Sequence, residues 1–223
     1  MSSKYWLSFL FAPAGIIVFS GLGWLDAAAG HKPNQPTVAQ SDTAREPLNS
    51  HLTIANPASL SGARAEEVYQ AIRDRLGDDY AQSGDPIATQ YSTWKRYNKT
   101  PYRSTTHGER FVNNYANDAA RAYVKYEKLG HLPPGAMIVK DSFTVTDQGA
   151  ILTGPLFFME KMDSGFNARD GDWRYMMIRE DGTIAGLSGG VNSKNVEFCA
   201  ECHNSAPSSH DRLYFMPDNV RIR

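Results

Sequence analysis

Both cysteines of the 223-residue chain stand three residues apart in the stretch FCAECHN, residues 198–204, and a histidine follows the second one. With the spacing of Cys199, Cys202 and His203, two thiols can add to the two vinyl groups of a porphyrin while the adjacent imidazole becomes a ligand of the iron. The three-residue offset brings both sulfurs to one edge of the macrocycle. The motif therefore predicts one covalently attached haem c, with His203 as the proximal iron ligand.

Two other kinds of site also use paired cysteines. A structural zinc site needs four ligands, and this motif with His203 supplies three at most. A redox disulfide of the thioredoxin type belongs to a βαβ setting, whereas this motif follows an antiparallel pattern near the end of the chain. Covalent haem is favoured over both.

The position of the motif bears on the sixth coordination site of the iron. In small electron-transfer cytochromes the motif lies near the start, and a methionine well downstream closes that site. Here only Met216 follows His203, and a methionine in such a place more often fills the core. His107 is another possible ligand, although its position before a predicted helix is typical of a capping or loop role. We therefore expect a five-coordinate iron with an open distal face.

The amino-terminal segment predicts export. Residues 5–25 carry no charged side chain, and three alanines at 27–29 resemble a cleavage site, so residues 1–29 are expected to be a signal peptide. The apolar run also has the length of a membrane-spanning helix, which leaves a retained membrane anchor open. Either segment predicts a periplasmic protein. Residues 30–58, with four prolines among small polar residues, predict a flexible linker.

The remaining periodicity predicts an α+β fold. Residues 59–90 have the apolar spacing of an amphipathic helix, and a second helical pattern runs from His107 to Leu129. Alternation over 135–146, 150–162 and 172–180 predicts three strands of an antiparallel β-sheet meander, with helices packed on it and the haem attachment motif at the C-terminal end. With 23 Lys and Arg against 24 Asp and Glu, the chain has no basic excess, so nucleic acid is not expected as a partner.

Four blocks follow one another as PPGAMIVKDSF, GPLFFMEKM, GDWRYMMIREDG and FCAECHN. Their sequence and order resemble the cytochrome P-460 family, whose relatives include the beta-type cytochromes c-prime. The resemblance covers the chain from about Tyr91 to Pro217, within a predicted haem domain at 91–223. It implies a homodimer of small antiparallel-sheet subunits, each with one haem. Cytochrome P-460 itself oxidises hydroxylamine, producing nitrous oxide when nitric oxide is present, whereas the beta-type relatives bind small gases.

Lys140 is the residue on which that distinction depends. In cytochrome P-460 a lysine is bonded to a porphyrin meso carbon, and Lys140 matches the lysine-bearing strand of the family. Burial against haem would lower the ammonium pKa and make the amine nucleophilic. The alternatives are a strand lysine that points to solvent, and Lys161 as the cross-linked residue.

Hydroxylamine oxidation releases protons, so a carboxylate near the open face of the haem is expected to act as general base. The carboxylates in the appropriate part of the chain are Glu160, Asp163, Asp170 and Asp172. We take Glu160 as the catalytic candidate, because loop aspartates are more often turn formers.

Arg110 is a candidate for binding a haem propionate or a distal ligand, or else a surface arginine. Four aromatic residues are expected to wall the haem or to belong to the core: Phe143, Phe157, Phe158 and Trp173.

Two functions remain open at this stage. The first is an exported mono-haem enzyme that oxidises hydroxylamine or processes nitric oxide and passes electrons to a redox partner cytochrome. The second is a non-catalytic haem protein, either a gas binder or an electron carrier.

Overall fold

The computed structural model describes residues 54–222. Three α-helices lie within this range: α1 at Gly62–Ala81, α2 at Pro86–Gln90 and α3 at Glu197–His203. None of the helices in this range is long and apolar enough to cross a membrane. The predicted export segment at 1–29, and the predicted linker as far as residue 53, lie outside the described residues.

Eight strands form one sheet in which every pairing is antiparallel. The strands are β1 Lys95–Arg96, β2 Tyr102–Ser104, β3 Arg110–Ala116, β4 Met137–Val145, β5 Ile151–Thr153, β6 Leu156–Lys161, β7 Trp173–Ile178 and β8 Ile184–Leu187. Their order is β1-β3-β4-β6-β7-β8, while β2 pairs with β3 and β5 pairs with β4. The predicted α+β class, an antiparallel sheet with packed helices, is confirmed.

The turn after β4 contacts Ile54, the first of the described residues. Gly149 has φ +84°, and a Cβ atom there would clash with the carbonyl oxygen of Ile54, so the turn requires glycine. The Ile54 N–H donates to the Gly149 carbonyl oxygen at 2.9 Å, and the Ile54 side chain is buried. The folded region thus includes Ile54, which the sequence interpretation assigned to the linker.

The helix predicted from His107 is wrong in its first half, because Arg110–Ala116 is strand β3. Phe111 and Tyr115 are four residues apart, and this spacing places two side chains on one face of a strand as well as of a helix. Every residue from Phe111 to Ala116 is buried, since both faces of the sheet are covered, so no polar alternation marks the strand. The second half forms a run of 3-10 helix at Asp118–Lys128.

Two apolar clusters cover the two faces of the sheet. The first packs Val68, Ile72 and Leu76 of α1 against the face that carries Val139. The second packs the carboxyl-terminal segment against the face that carries Ile138. Because successive strand residues point to opposite faces, Ile138 and Val139 fall in different clusters. Helix α1 therefore belongs to the same folded unit as the sheet.

A buried carboxylate ties α1 to the sheet. Asp141 of β4 has no exposed surface; it accepts hydrogen bonds from the Asn113 Nδ2 atom at 2.9 Å and the Tyr69 hydroxyl at 2.8 Å. Burial raises the pKa of the Asp141 carboxyl from its ordinary value of 3.8 to about 6. This polar cluster lies on the face of the sheet opposite to Lys140.

Candidate haem site

The cysteine–histidine motif lies in a cavity of about 420 Å³, on the second-cluster side of the sheet. Helix α3 carries Cys199, Cys202 and His203 at relative positions i, i+3 and i+4, which share one face of a helix. All three side chains line the cavity. The two cysteines are not joined in a disulfide; Cys199 is partly buried and Cys202 is exposed. The local fold therefore presents both thiols and the imidazole to one space.

The His203 imidazole is held in a defined orientation. Its Nδ1 atom donates a hydrogen bond to the Arg212 carbonyl oxygen at 2.8 Å, so the ring is the tautomer with an unprotonated Nε2 atom. Burial, aided by the positive charge of Lys140, lowers the pKa of His203 to about 4. The imidazole is therefore neutral at pH 7 and has the lone pair that a metal ligand needs.

Lys140 faces the same cavity from the centre of the sheet. Its neighbours across the strands are Asn114 on β3 and Phe157 on β6, and the side chain is partly buried. Burial lowers the pKa of the Lys140 amine from 10.5 to about 8. The structure thus brings Lys140 together with the motif, as the sequence interpretation requires, and the alternative of a strand lysine in open solvent does not describe it.

Lys161 occupies a different environment. Its Nζ atom donates to the Asp211 carboxylate at 2.5 Å and to the Gly171 carbonyl oxygen at 2.8 Å. The side chain does not line the cavity. Lys161 is a structural ion-pair partner, and Lys140 is the lysine in position to meet a bound group.

The carboxylate and guanidinium groups at the cavity differ in part from those expected. Glu160 lies outside the cavity lining and pairs with Arg174, because the side chain next to that of Met159 points to the other face of β6. Among the residues that the structure describes, Glu180, just after β7, is the one carboxylate that lines the cavity. Arg110 does line it, although from the start of a strand and not from a helical turn.

His107 lines the cavity beside Phe157, with 4.9 Å between the two ring centroids. Its Nδ1 atom lies 2.8 Å from the Ser104 hydroxyl oxygen, within a short 3-10 turn. Burial lowers the pKa of His107 to about 2, with smaller contributions from the charges of Lys140 and His203. The ring is therefore neutral at the cavity wall.

Of the four aromatic residues expected near a haem, only Phe157 lines the cavity. Phe143 and Phe158 are buried in the cluster under α1, and Trp173 is buried in the second cluster. Met216 is 1% exposed in that second cluster and does not line the cavity, so its role is core packing.

Sequence reasoning missed several residues of the cavity wall. They include Met159, Tyr175, Met177, Arg179, Phe198 and Tyr214. The signal was strand alternation: Phe157 and Met159 share one face of β6, and Tyr175 and Met177 share the same face of β7. Lys140 is on this face too. Once Lys140 is assigned to the cavity, its register partners on β6 and β7 identify the other wall residues.

The lining fits a haem group. Phe198 and Tyr214 are large side chains that remain 53% and 42% exposed at the cavity, and a flat apolar group would cover such a surface. The buried Tyr175 hydroxyl has no hydrogen-bond partner among the described residues, so the cavity offers a polar contact as well. Two thiols and a neutral imidazole complete the donor set that haem c requires.

A larger cavity of about 560 Å³ lies beside α1 and contains none of these groups. It is lined mostly by polar residues of α1 and the segment after it, among them Gln70, Arg73 and Ser92. Neither cysteine and neither of the histidines discussed above lines it, so the chemistry of the motif belongs to the smaller cavity.

The fold and the lining of this cavity fit the class of haem-binding cytochromes. A model of the family described as Cytochrome P460 matches residues 88–215, which is more than half of the chain. The chain belongs to the cytochrome P460 family. A search of curated proteins finds no match to the chain.

Proposed function

We propose that this protein is an exported c-type mono-haem enzyme that oxidises hydroxylamine or processes nitric oxide at an open haem iron. The observation that carries the proposal is the convergence of Lys140 with Cys199, Cys202 and His203 on one cavity. Membership of the cytochrome P460 family supports haem binding. The position of Lys140 favours the hydroxylamine-oxidising members that the chain resembles over the gas-binding relatives.

The motif residues hold the cofactor. Cys199 and Cys202 would hold the porphyrin through thioethers, and His203 Nε2 would be the iron ligand. When bound, the haem iron supplies the redox centre for oxidation of the N–O substrate. The Arg212 carbonyl fixes the ring orientation that leaves Nε2 available.

Lys140 is assigned the additional covalent bond to the porphyrin that the family resemblance implies. Burial lowers the pKa of the Lys140 amine to about 8, which raises the neutral, nucleophilic fraction of the amine at pH 7. A lysine in open solvent would have a far smaller neutral fraction. Burial therefore favours the neutral amine, and replacing the porphyrin C–H bond by a C–N bond would also require an external two-electron oxidant, such as a peroxide, to take up the two electrons released.

Glu180 is assigned proton transfer, and the arginines at the cavity are assigned binding of the haem propionates. The carboxylate of Glu180 accepts protons that the substrate releases, replacing the role first assigned to Glu160. Arg110 and Arg179 carry guanidinium groups at the cavity and are suited to binding the propionates. The electrons leave the site to a redox partner cytochrome.

The proposal also covers the cellular location and the oligomeric state of the protein. Residues 1–29 act as a signal peptide or as a membrane anchor, and the haem domain functions in the periplasm as a homodimer. Export is consistent with attachment of haem c, because this attachment takes place on the outer side of the membrane.

A non-catalytic gas binder is the second candidate, favoured by the apolar part of the cavity wall. Phe157, Met159 and Met177 present carbon and sulfur atoms with little hydrogen-bonding capacity, and such a wall suits an uncharged diatomic ligand. An electron carrier is the third form that the family resemblance leaves open.

The test is expression with a haem-maturation system, followed by spectra and an assay for hydroxylamine oxidation with an artificial one-electron acceptor. If the protein is the proposed enzyme, we expect turnover of hydroxylamine and a strongly red-shifted Soret band that is lost in Lys140→Ala. An ordinary c-type spectrum that is independent of Lys140, with carbon monoxide binding and no turnover, would select the gas binder. A six-coordinate low-spin spectrum that is insensitive to carbon monoxide would select the electron carrier.

A further inference from the structure

Two consecutive residues near the carboxyl terminus have an unusual backbone conformation. Asp211 has φ +53° and Arg212 has φ +65°, both in the left-handed region that favours glycine. Aspartate tolerates this region better than arginine does. Such a conformation persists only where the surrounding structure holds it in place, and it often marks a site with a specific task.

The Asp211 side chain provides most of that restraint. It is 2% exposed; its Oδ1 atom accepts from Lys161 Nζ at 2.5 Å, and its Oδ2 atom accepts from the Leu132 N–H at 2.8 Å. The His131 Nδ1 atom lies 3.1 Å from the same Oδ1 atom. The Asp211 carbonyl oxygen accepts from Trp173 Nε1 at 2.7 Å. One residue is thereby fixed to the end of β6, to the start of β7 and to the loop before β4.

Arg212 transmits this restraint to the iron-ligand candidate. Its carbonyl oxygen accepts from His203 Nδ1 at 2.8 Å, and its guanidinium Nη1 atom donates to the Asn204 carbonyl oxygen at 2.9 Å. Arg212 therefore contacts both the imidazole and the end of the helix that carries it. The left-handed conformation at 211 and 212 sets the direction of this carbonyl.

We propose that Asp211, locked by its ion pair with Lys161, is a positioning residue that aims the Arg212 carbonyl at His203 and so sets the orientation and basicity of the proximal imidazole. The inference rests on the proposed function in that His203 must be the iron ligand. A hydrogen bond accepted from Nδ1–H increases electron donation from the opposite ring nitrogen. Stronger donation stabilises the ferric over the ferrous state. The clamp, which we define as the Lys161–Asp211 ion pair with the Arg212 carbonyl–His203 hydrogen bond, therefore keeps the reduction potential low.

The chain offers a matched control for this clamp. Arg174 on β7 pairs with Glu160 on β6, one residue before Lys161. Each pair thus includes a β6 side chain; the Arg174 pair is partly buried and the Lys161 pair is almost fully buried. Within residues 54–222, the Arg174 side chain bonds to Glu160, and neither residue of this pair forms a hydrogen bond to Asp211 or Arg212. Arg174→Met removes an ion pair of β6 and leaves the Lys161–Asp211 and Arg212–His203 contacts in place. Lys161→Met removes the ion pair that holds Asp211.

The experiment compares haem-loaded wild type with Lys161→Met, Asp211→Asn, Lys161→Arg and Arg174→Met. The readouts are the reduction potential and the iron–histidine stretching band of the ferrous protein in resonance Raman spectra. We expect Lys161→Met and Asp211→Asn to raise the potential and to lower the frequency of the band. Lys161→Arg, which keeps the charge, is expected to return both values towards wild type, and Arg174→Met is expected to leave both unchanged.

Wild-type values in both Lys161→Met and Asp211→Asn would overturn the clamp while leaving haem binding intact. An equal shift in Arg174→Met would overturn it too, because the effect would then be general destabilisation. If Asp211→Asn does not accumulate, Lys161→Met decides the question, since it leaves the Leu132 and Trp173 bonds to Asp211 in place. A wild-type protein without haem, or without the iron–histidine band, would contradict the proposed function as well.

Discussion

The carboxylate of Glu160 pairs with the guanidinium of Arg174 on the neighbouring strand, and neither side chain lines the cavity that contains Lys140. The two residues are register partners across β6 and β7. Glu180 follows β7 by two residues and does line the cavity. We therefore assign proton transfer to Glu180, which reaches the cavity, and not to Glu160, which does not.

Replacing Glu180 tests that assignment. Glu180→Gln keeps the size of the side chain and removes its basicity, so hydroxylamine oxidation is expected to fall by about 100-fold, the usual effect of losing a general base. Steady-state turnover with an artificial electron acceptor measures it. Glu160→Gln is the matched control and is expected to keep the wild-type rate. A large loss in Glu160→Gln, with none in Glu180→Gln, would restore Glu160 as the base.

Met216 is expected to stabilise the fold without binding the iron. Because its side chain is buried in the second cluster, Met216→Ala should lower the free energy of unfolding by about 2–5 kcal/mol. Met216→Leu conserves volume and should leave the absorption spectra of both oxidation states unchanged. Denaturant unfolding and spectroscopy check the two outcomes. A spectral change from low spin to high spin in Met216→Leu would identify Met216 as a ligand.

Asp141 predicts a pH dependence of stability. Its folded pKa of about 6 lies above the ordinary 3.8, so the folded state binds the proton more tightly than the unfolded state. The stability it contributes is present below pH 3.8 and is lost as the pH rises to about 6. The shift corresponds to about 3 kcal/mol.

Asp141→Asn lacks this titration. The difference between the unfolding free energies of wild type and Asp141→Asn is therefore expected to change in favour of the variant as the pH rises across that window. Urea unfolding at a series of pH values measures the difference, and titration of other groups cancels between the two proteins. A difference that is independent of pH would show that Asp141 is not the titrating group.

Helix α1 precedes the family match at residues 88–215, yet it packs in the same cluster as the sheet. Leu76 has no exposed surface, so Leu76→Ala should lower the free energy of unfolding by about 2–5 kcal/mol. Arg73→Ala, at an exposed position of the same helix, should change it by less than about 0.5 kcal/mol. Equal, small effects in both variants would mean that α1 is not part of the cooperative core.

The motif at Cys199, Cys202 and His203 could be predicted from sequence because its chemistry is local and fits within one helical turn. Helix α1 and the strand containing Lys140 also follow from apolar periodicity. Strand β3 could not be predicted, since burial on both faces removes the alternation that identifies strands. Glu180 was missed because alternation from Met177 would place residue 180 on the opposite face, whereas β7 ends at Ile178 and the following turn brings Glu180 to the cavity.

The intact mass of the denatured, periplasm-matured protein tests the central claim most directly. Thioether attachment at Cys199 and Cys202 predicts that the polypeptide keeps the mass of one haem after denaturation, and that the double variant Cys199→Ser/Cys202→Ser does not. A colourless wild-type product with the mass of the polypeptide alone, in which both sulfhydryls titrate as free thiols, would contradict the account.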